Sequence, residues 1–493
     1  MSMPRWFSAI AWAALLGLGF VGCFDIAWFG VVAPGAVTGA LGLGLAGLLA
    51  WLARRVARLP QSADRPPEAV SHRGLIAILL LGVALRVAWA ASFPPEQFSD
   101  TAAYVRLAKG IAEDGEYREH NQPGHPAFRA YRPPGYPAFL APFYAALGDR
   151  PWIPALTNVL LYLGSALLLY DLGVRISGPR AGRLAATLLT VWPAHVLVTG
   201  LALSESASLF LYLLVYSCWL RCLEAGPAWI LPLGFVAALS AFVRPTLLPL
   251  PLLLFAFALF LRPLRVRHLS RAVLVGAVMA ALIAPWTIRN HRLLGGFVPI
   301  STNGGDTFYR SNNPLATGTW TEAGEVDLWQ HANDELSWDK AGFRLGREWI
   351  EENPVPFLRL CATKQAILLG TDGFGPYYAL TRGCGIAGWP HAIAFAVCNL
   401  WWAGFWVLAI LGAVRTRDSF CRTPAGVAAI LMVFALVAAH SLFESQARHH
   451  VPFFGHLALL AALLFHPPAR QRVDVTASAP GSGESEPGGA RSV

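Results

Sequence analysis

Charge is what this sequence has least of. Only 14% of its 493 residues are Asp, Glu, Lys or Arg, against 55% hydrophobic ones, and the mean hydropathy is +0.48. Soluble globular chains average about 25% charged. A disordered chain would be poorer still in apolar residues. Both classes are therefore excluded. A lipid-facing surface requires this shortage, because a charge at the bilayer centre costs roughly 3 kcal/mol or more. Cysteine is also sparse: there are seven and no CxxC pair, so no zinc or redox motif is present. Cys218 and Cys222 share a helix face and read as core residues, and Cys361 and Cys384 lie on one side and could pair. No basic–aromatic surface pattern suggests nucleic acid.

What is present is apolar sequence in span-length runs. A span needs about 20 mostly apolar residues. Candidates are 6–24, 31–52, 74–92, 152–174, 182–200, 203–221, 228–243, 245–261, 272–288, 391–413, 424–442 and 451–466, which predicts twelve. Two shorter apolar stretches, 135–147 and 356–370, read as interfacial or re-entrant helices, the second carrying Arg359 and Lys364. Phe20-Val21-Gly22-Cys23 is a poor lipoprotein-cleavage match, so the first segment is kept as a signal anchor. The Gly/Ser/Pro/Glu-rich tail from Pro467 is expected to be disordered.

Twelve spans divide the formal +9 between two sides. One set of loops and both ends hold twenty basic residues against seven acidic, a balance of +13; the other side holds seventeen against twenty-one, or −4. Arg86 and Asp171 lie within spans and cancel. The positive-inside rule then places both termini in the cytoplasm, in an inner (plasma) membrane. The expected organisation is an N-terminal hairpin and linker (1–73) and a membrane module (74–288) containing outer loop 93–151. An outer cap (289–390), C-terminal helices (391–466) and a cytoplasmic tail (467–493) follow.

Function is expected in the two long outer loops, 93–151 and 289–390, because loops carry function on a rigid scaffold. Asp100, Tyr104, Leu107, Ala108 and Ile111 follow helical spacing, with Ser99 or Asp100 able to cap that helix. Tyr131-Arg132-Pro133-Pro134-Gly135-Tyr136-Pro137 sets a stiff, non-helical approach to the 135–147 helix and holds Arg132 at the lipid boundary. Glu205, Arg244-Pro245, Pro285–Asn290 with Arg289, and Arg448-His449-His450-Val451-Pro452 gather at the same boundary. Each has a plain reading as a cap or a snorkelling anchor. Four arginines and two carboxylates converging on one interface weaken that reading. Trp320, Trp329 and Trp338 could stack on sugar or form the cap's core. Residues 334–352 read as an amphipathic helix ending before Pro354. His120/His125 and His449/His450 are more simply solvated or hydrogen-bonded than metal ligands.

With these segments in order, the chain resembles the GT-C class of membrane glycosyltransferases. It is most similar to the bacterial type that includes protein O-mannosyltransferases and the lipid A aminoarabinose transferase. The resemblance is carried by Leu85-Arg86, Asp100–Tyr104, Arg132–Pro137, Ser204-Glu205, Arg244-Pro245, Pro285–Asn290 with Ser301–Gly305, Asn312–Pro314 and Arg448–Pro452, over roughly 74–466. Residues 1–52 look like an added hairpin. Asp100-Thr101 stands where many members have two consecutive acids, which puts a role of the second acid in metal or acceptor binding in doubt. Arg132 stands where several relatives have Lys or His.

The resemblance implies an all-α polytopic GT-C bundle of about twelve helices with a periplasmic cap. It implies a glycosyltransferase moving a sugar from a polyprenyl-phosphate donor to a periplasm-facing lipid, glycan or protein acceptor, usually with inversion. A divalent cation is possible. The residues suit that chemistry: Asp100 as base, Glu205 as a second acid, and Arg132, Arg244, Arg289 and Arg448 for the donor phosphate. Tyr104, Tyr136, Asn303 and Tyr309 are candidates for sugar or acceptor. A flippase or transporter, or a polymerase or ligase of lipid-linked glycans, is the rival expectation. The first predicts polar residues mid-span, where this sequence has few.

Overall fold

The computed structural model describes residue 55 and residues 72–119, 126–260, 266–321 and 326–468. The proposed spans 6–24 and 31–52, His120/His125 and the tail beyond 468 lie outside them. Among the described residues there is no strand, only an isolated Glu119–Phe128 bridge, and the fold is all-α.

Among the described residues six helices are long and apolar enough to cross a membrane: His72–Ser92, Ile153–Ser177, Ser204–Glu224, Val266–Leu294, Trp389–Arg415 and Pro424–Leu442. The chain is a multi-pass membrane protein. Ten of the twelve expected spans fall within the described residues, and six of those ten are single helices of spanning length. The run 182–200 is two pieces, Pro179–Thr190 and Pro193–Gly200, bent by 55°. Pro193 explains the break, since its ring removes a backbone donor and forbids a continuous helix. The expected spans 228–243 and 245–261 are the short apolar helices Pro227–Val243 and Pro245–Leu259. The expected span 451–466 starts as a 3₁₀ turn, Ala447–Phe453, and only Phe454–Phe465 is α-helical.

Ser204–Glu224 is the central helix, buried around most of its circumference. It packs against Ile153–Ser177, Ile230–Val243 and the 447–453 turn. His72–Ser92 lies at the edge and exposes Ile76, Leu80 and Val87, the surface expected against lipid tails. Helices approach closely where a side chain is missing. A Cβ on Gly412 would sit 1.8 Å from the Leu460 carbonyl, which is how Trp389–Arg415 seats on Phe454–Phe465. A Cβ on Gly135 would meet the Phe242–Val243 backbone at 2.7–2.8 Å, so the glycine of the Arg132–Pro137 motif docks Gly135–Leu147 onto the end of Ile230–Val243.

Two buried polar devices lie at the break between Pro179–Thr190 and Pro193–Gly200. Arg86, wholly buried, donates to the Leu189 and Thr190 carbonyls freed at the helix break, and bonds His195 Nδ1 at 3.0 Å. The cation thus caps a helix C-terminus, as the helix dipole favours. Asp171, which balanced it arithmetically, pairs instead with Arg175 and Arg221. At the same break Trp192 Nε1 donates to Asp372 Oδ2 (2.7 Å), and Asp372 Oδ1 bonds His450 Nε2 (3.1 Å). Cys361 and Cys384 are both free; Cys218 and Cys222 are buried as expected.

The long outer loops fold into helices Ser99–Glu113, Gly135–Leu147, Asn303–Arg310, Glu335–Glu352 and Pro354–Gly370. Glu335–Glu352 matches the expected amphipathic helix, with Asp334 accepting from Ser337 N at its start. Glu335 accepts from the amides of Arg129 and Ala130 and from the Thr302 hydroxyl. That clamp joins the two outer loops.

Gly412→Leu is expected to cost about 3 kcal/mol through overpacking against Leu460. It should lower the thermal unfolding midpoint of detergent-purified protein by several degrees, and an unchanged midpoint would contradict the close helix contact.

Candidate active site

The outer loops and the tops of the central helices enclose a cavity of about 1670 Å³. Its floor is charged. Asp100 Oδ1 accepts from Arg132 Nη1 at 2.8 Å, and Oδ2 accepts from Arg448 Nη2 at 2.8 Å. Arg132 Nε also donates to both oxygens of Glu119, at 3.1 and 3.0 Å. Arg448 Nε lies 3.4 Å from Glu205 Oε1, which accepts from Arg244 Nη2 at 2.6 Å. Glu119, Arg132, Asp100, Arg448, Glu205 and Arg244 therefore form one alternating chain of three carboxylates and three guanidiniums.

Local structure explains the aim of each member. Ser99 precedes Asp100 with φ 43°, the one described non-glycine residue in the left-handed region. The helix start is capped neither by Ser99 nor by Asp100. Thr101 Oγ1 exchanges hydrogen bonds with the Phe98 backbone, which leaves the Asp100 carboxylate free to face the arginines. Arg132 is fixed by the prolines behind it, and its carbonyl accepts from the Tyr117 hydroxyl at 2.7 Å. Arg244 ends its helix in extended backbone just before Pro245 and also donates to Ser204 Oγ. Glu205 is 2% exposed, not a solvated helix-start acid.

Burial alone would push the Asp100 carboxyl up. The Arg132 and Arg448 guanidiniums outweigh it and hold Asp100 well below the ordinary carboxylate range. Asp100 is thus ionised at neutral pH and a weak base while both arginines remain on it.

Of the predicted site residues, Asp100, Tyr104, Arg132, Arg244, Asn303 and Arg448 line the cavity. Glu205 stands behind Arg244 and Arg448, and Tyr136 packs edge-on against Tyr104 at 5.2 Å. Two lie apart from it. Arg289 donates to the Arg129 and Tyr117 carbonyls and stacks on Trp286. Tyr309 packs into the cap cluster with Phe128, Tyr131 and Trp338. Trp320, Trp329 and Trp338 are cap residues that also face the cavity.

The sequence reasoning missed Glu119, Asp306 and Glu444. Asp306 accepts from the Tyr131 hydroxyl and Arg310 Nε, both at 2.7 Å. Among the described residues no three His, Cys, Asp or Glu side chains converge as a metal site.

The lining also has an apolar part, with Leu247, Leu248, Leu250, Leu252 and Leu253 from one stretch and Ala435, Ala438, Ala439 and Leu442 from another. The cavity thus joins a floor of paired guanidiniums and carboxylates to a hydrocarbon-like flank.

Residues 131–288, about a third of the chain, match the model of the family described as dolichyl-phosphate-mannose-protein mannosyltransferase. The match spans Arg132–Pro137, Ser204-Glu205 and Arg244-Pro245, segments that carried the resemblance read from the sequence. No curated protein matches the chain. Among solved structures, the chain is similar to the oligosaccharyltransferase AglB from Archaeoglobus fulgidus in complex with an inhibitory peptide and a dolichol-phosphate. Identity is 14%, with 80% of this chain and 49% of that one covered and a TM-score of 0.47. The chain therefore spans about half the length of that enzyme. It is also similar to ArnT from Cupriavidus metallidurans bound to undecaprenyl phosphate, at 12% identity, 80% and 77% coverage and a TM-score of 0.41. The arabinosyltransferase EmbB from Mycobacterium smegmatis aligns at 16% identity, 83% and 45% coverage and a TM-score of 0.30.

Removing one member of a buried ion chain strands its partners. Glu205→Ala is expected to destabilise by about 3 kcal/mol. Adding Arg244→Ala should restore part of the loss in a double-mutant cycle read by thermal unfolding. Strict additivity would show that the two side chains are not coupled.

Proposed function

We propose that the protein transfers a sugar from a polyprenyl-phosphate carrier to an acceptor on the outer face of the membrane. The observation that carries this reading is the union, in one cavity, of three arginines with a leucine-lined flank. An amphiphile with an anionic head and a long apolar chain fits both halves. The family-model match over 131–288 supports the same class.

In this reading the donor phosphate lies against Arg132, Arg448 and Arg244. Guanidinium suits the task because it stays charged and forks onto phosphate oxygens. The arriving phosphate competes with Asp100 for Arg132 and Arg448. As they turn to it, Asp100 loses the two charges that hold it acidic, and it becomes a better base when substrate is present. The acceptor oxygen attacks the anomeric carbon, its proton passing to an Asp100 oxygen. The bond from that carbon to the phosphate oxygen breaks, and the electron pair leaves on polyprenyl phosphate. A single displacement of this kind inverts the anomeric centre. Glu205 holds Arg244 and Arg448 in place beneath the phosphate. Arg289 acts at one remove, fixing the loop that carries Arg132. The positive-inside charge balance of the sequence supports an outer-facing site with both termini cytoplasmic, in an inner membrane. The acceptor is a lipid, glycan or protein reached from that side.

Purified protein incubated with a panel of polyprenyl-phosphate sugars and a membrane extract as acceptor source should release polyprenyl phosphate. Asp100→Asn should lower kcat about a hundredfold or more, the loss typical of a missing general base. Arg132→Ala should weaken donor affinity about tenfold or more. Wild-type turnover by Asp100→Asn would refute the base assignment. Vectorial movement of donor without bond cleavage would identify a transporter instead.

A further inference from the structure

The cavity wall beside Arg448 carries polar groups that the transfer step above leaves unused. Glu444 follows Pro424–Leu442, is 7% exposed and faces the cavity. Its Oε1 accepts a long bond from Gln446 Nε2 (3.3 Å), and its Oε2 has no partner. Gln446 Oε1 accepts from the Tyr378 hydroxyl at 3.0 Å. The Arg448 guanidinium lies over the Tyr378 ring, 5.1 Å from its centroid. His449 Nε2 stands 3.9 Å from Glu444 Oε1, and His449 Nδ1 is also unpartnered. The wall thus runs from a phosphate-facing arginine across an aromatic ring and a carboxamide to an unpartnered carboxyl.

A buried carboxyl oxygen without a partner is rare and needs a reason. A salt bridge is not the reason here, because no cation lies within ion-pair distance of Glu444 Oε2 and those that face it pair elsewhere. Arg448 serves Asp100 and Glu205, Arg244 serves Ser204 and Glu205, and Lys364 serves Asn312 and two carbonyls. Asp100 and Asp306 face it as like charges, and His440, stacked on His449 at 4.5 Å, bonds only its backbone carbonyl. Burial pushes Glu444 up to about 7 despite Arg448, and burial keeps His449 neutral by pushing it well below its ordinary value. A second phosphate would meet this carboxyl as a like charge. A sugar ring would not: its hydroxyls need acceptors and donors, and its C–H face suits an aromatic ring.

We propose that Tyr378, Gln446 and Glu444 form the subsite for the sugar of the lipid-linked donor, with Glu444 Oε2 accepting a hydrogen bond from a ring hydroxyl. This rests on the glycosyl-transfer reading and deepens it. The donor sugar is favoured over an acceptor sugar because Tyr378 touches Arg448, which the donor phosphate would engage.

The test compares binding of bare undecaprenyl phosphate with binding of a panel of undecaprenyl-phosphate pentoses and hexoses to the purified full chain in nanodiscs. At least one sugar lipid should bind about tenfold or more tighter than the bare lipid, the gain expected from hydrogen bonds to a charged group. Glu444→Gln should cut that gain to threefold or less (an estimate on the same scale). Its affinity for the bare lipid should stay within about twofold of wild type, which also shows that the variant folds. Gln446→Ala should reduce the gain in the same direction. The wild-type gain should change between about pH 6 and 8, and the Glu444→Gln gain should not. An undiminished gain in Glu444→Gln, or no gain for any sugar in wild type, overturns the subsite alone. Failure of wild type to bind even the bare lipid overturns the transfer reading and the subsite with it.

Discussion

The structure of the candidate site turns on one carboxylate held by two arginines far apart in the chain. Asp100 takes Arg132 from the first outer loop and Arg448 from the turn before the last helix. Closing that triangle fixes the backbone at Ser99, the approach to Gly135–Leu147 and the 3₁₀ geometry of 447–453 together. Glu119 and Glu205 extend the same contacts outward, so each guanidinium on the floor already has an anionic partner. A floor balanced in this way is stable when empty, yet its charges can be re-paired. In the proposed transfer an incoming phosphate would not need to import cations or expel water from bare ones. It would exchange partners with carboxylates already in position, an arrangement that would limit reorganisation during the reaction.

Much of this was legible in the sequence, for physical reasons that differ by feature. The shortage of charge pointed to a membrane chain, and apolar runs of about 20 residues selected helices over the short strands of a closed barrel. Asp100, Arg132, Arg244 and Arg448 stood out because charges are few and these four sit where apolar runs stop. Their pairing was not legible. Arg448 meets Asp100 across 348 residues, and no periodicity encodes such a contact. Glu119 sits in a loop crowded with other charges, and Glu444 has no local pattern that sets it apart from Arg448-His449-His450 just after it. The helix break was readable, since Trp192-Pro193 interrupts the apolar run, but total hydropathy hid it. The twelve-span count suffered in the same way. Hydropathy reports how apolar a stretch is, not whether it stays straight or turns back.

Arg289 teaches a related point. As a boundary arginine it looked the same as the other three. The structure gives it two backbone carbonyls and the face of Trp286. Residue type and depth select candidates. Only the third dimension separates an arginine whose donors face a cavity from one whose donors are consumed by carbonyls of another loop.

The kink at Trp192 has a mechanical meaning beyond its effect on span length. The indole at the kink grips Asp372, and Asp372 grips the imidazole of His450, two residues beyond Arg448. All three side chains are buried. Swinging the 447–453 turn aside would strand a carboxyl, an imidazole and an indole N–H in surroundings that offer no substitute partners. The guanidinium over Tyr378 is therefore braced from beneath, as a bracket holds a shelf.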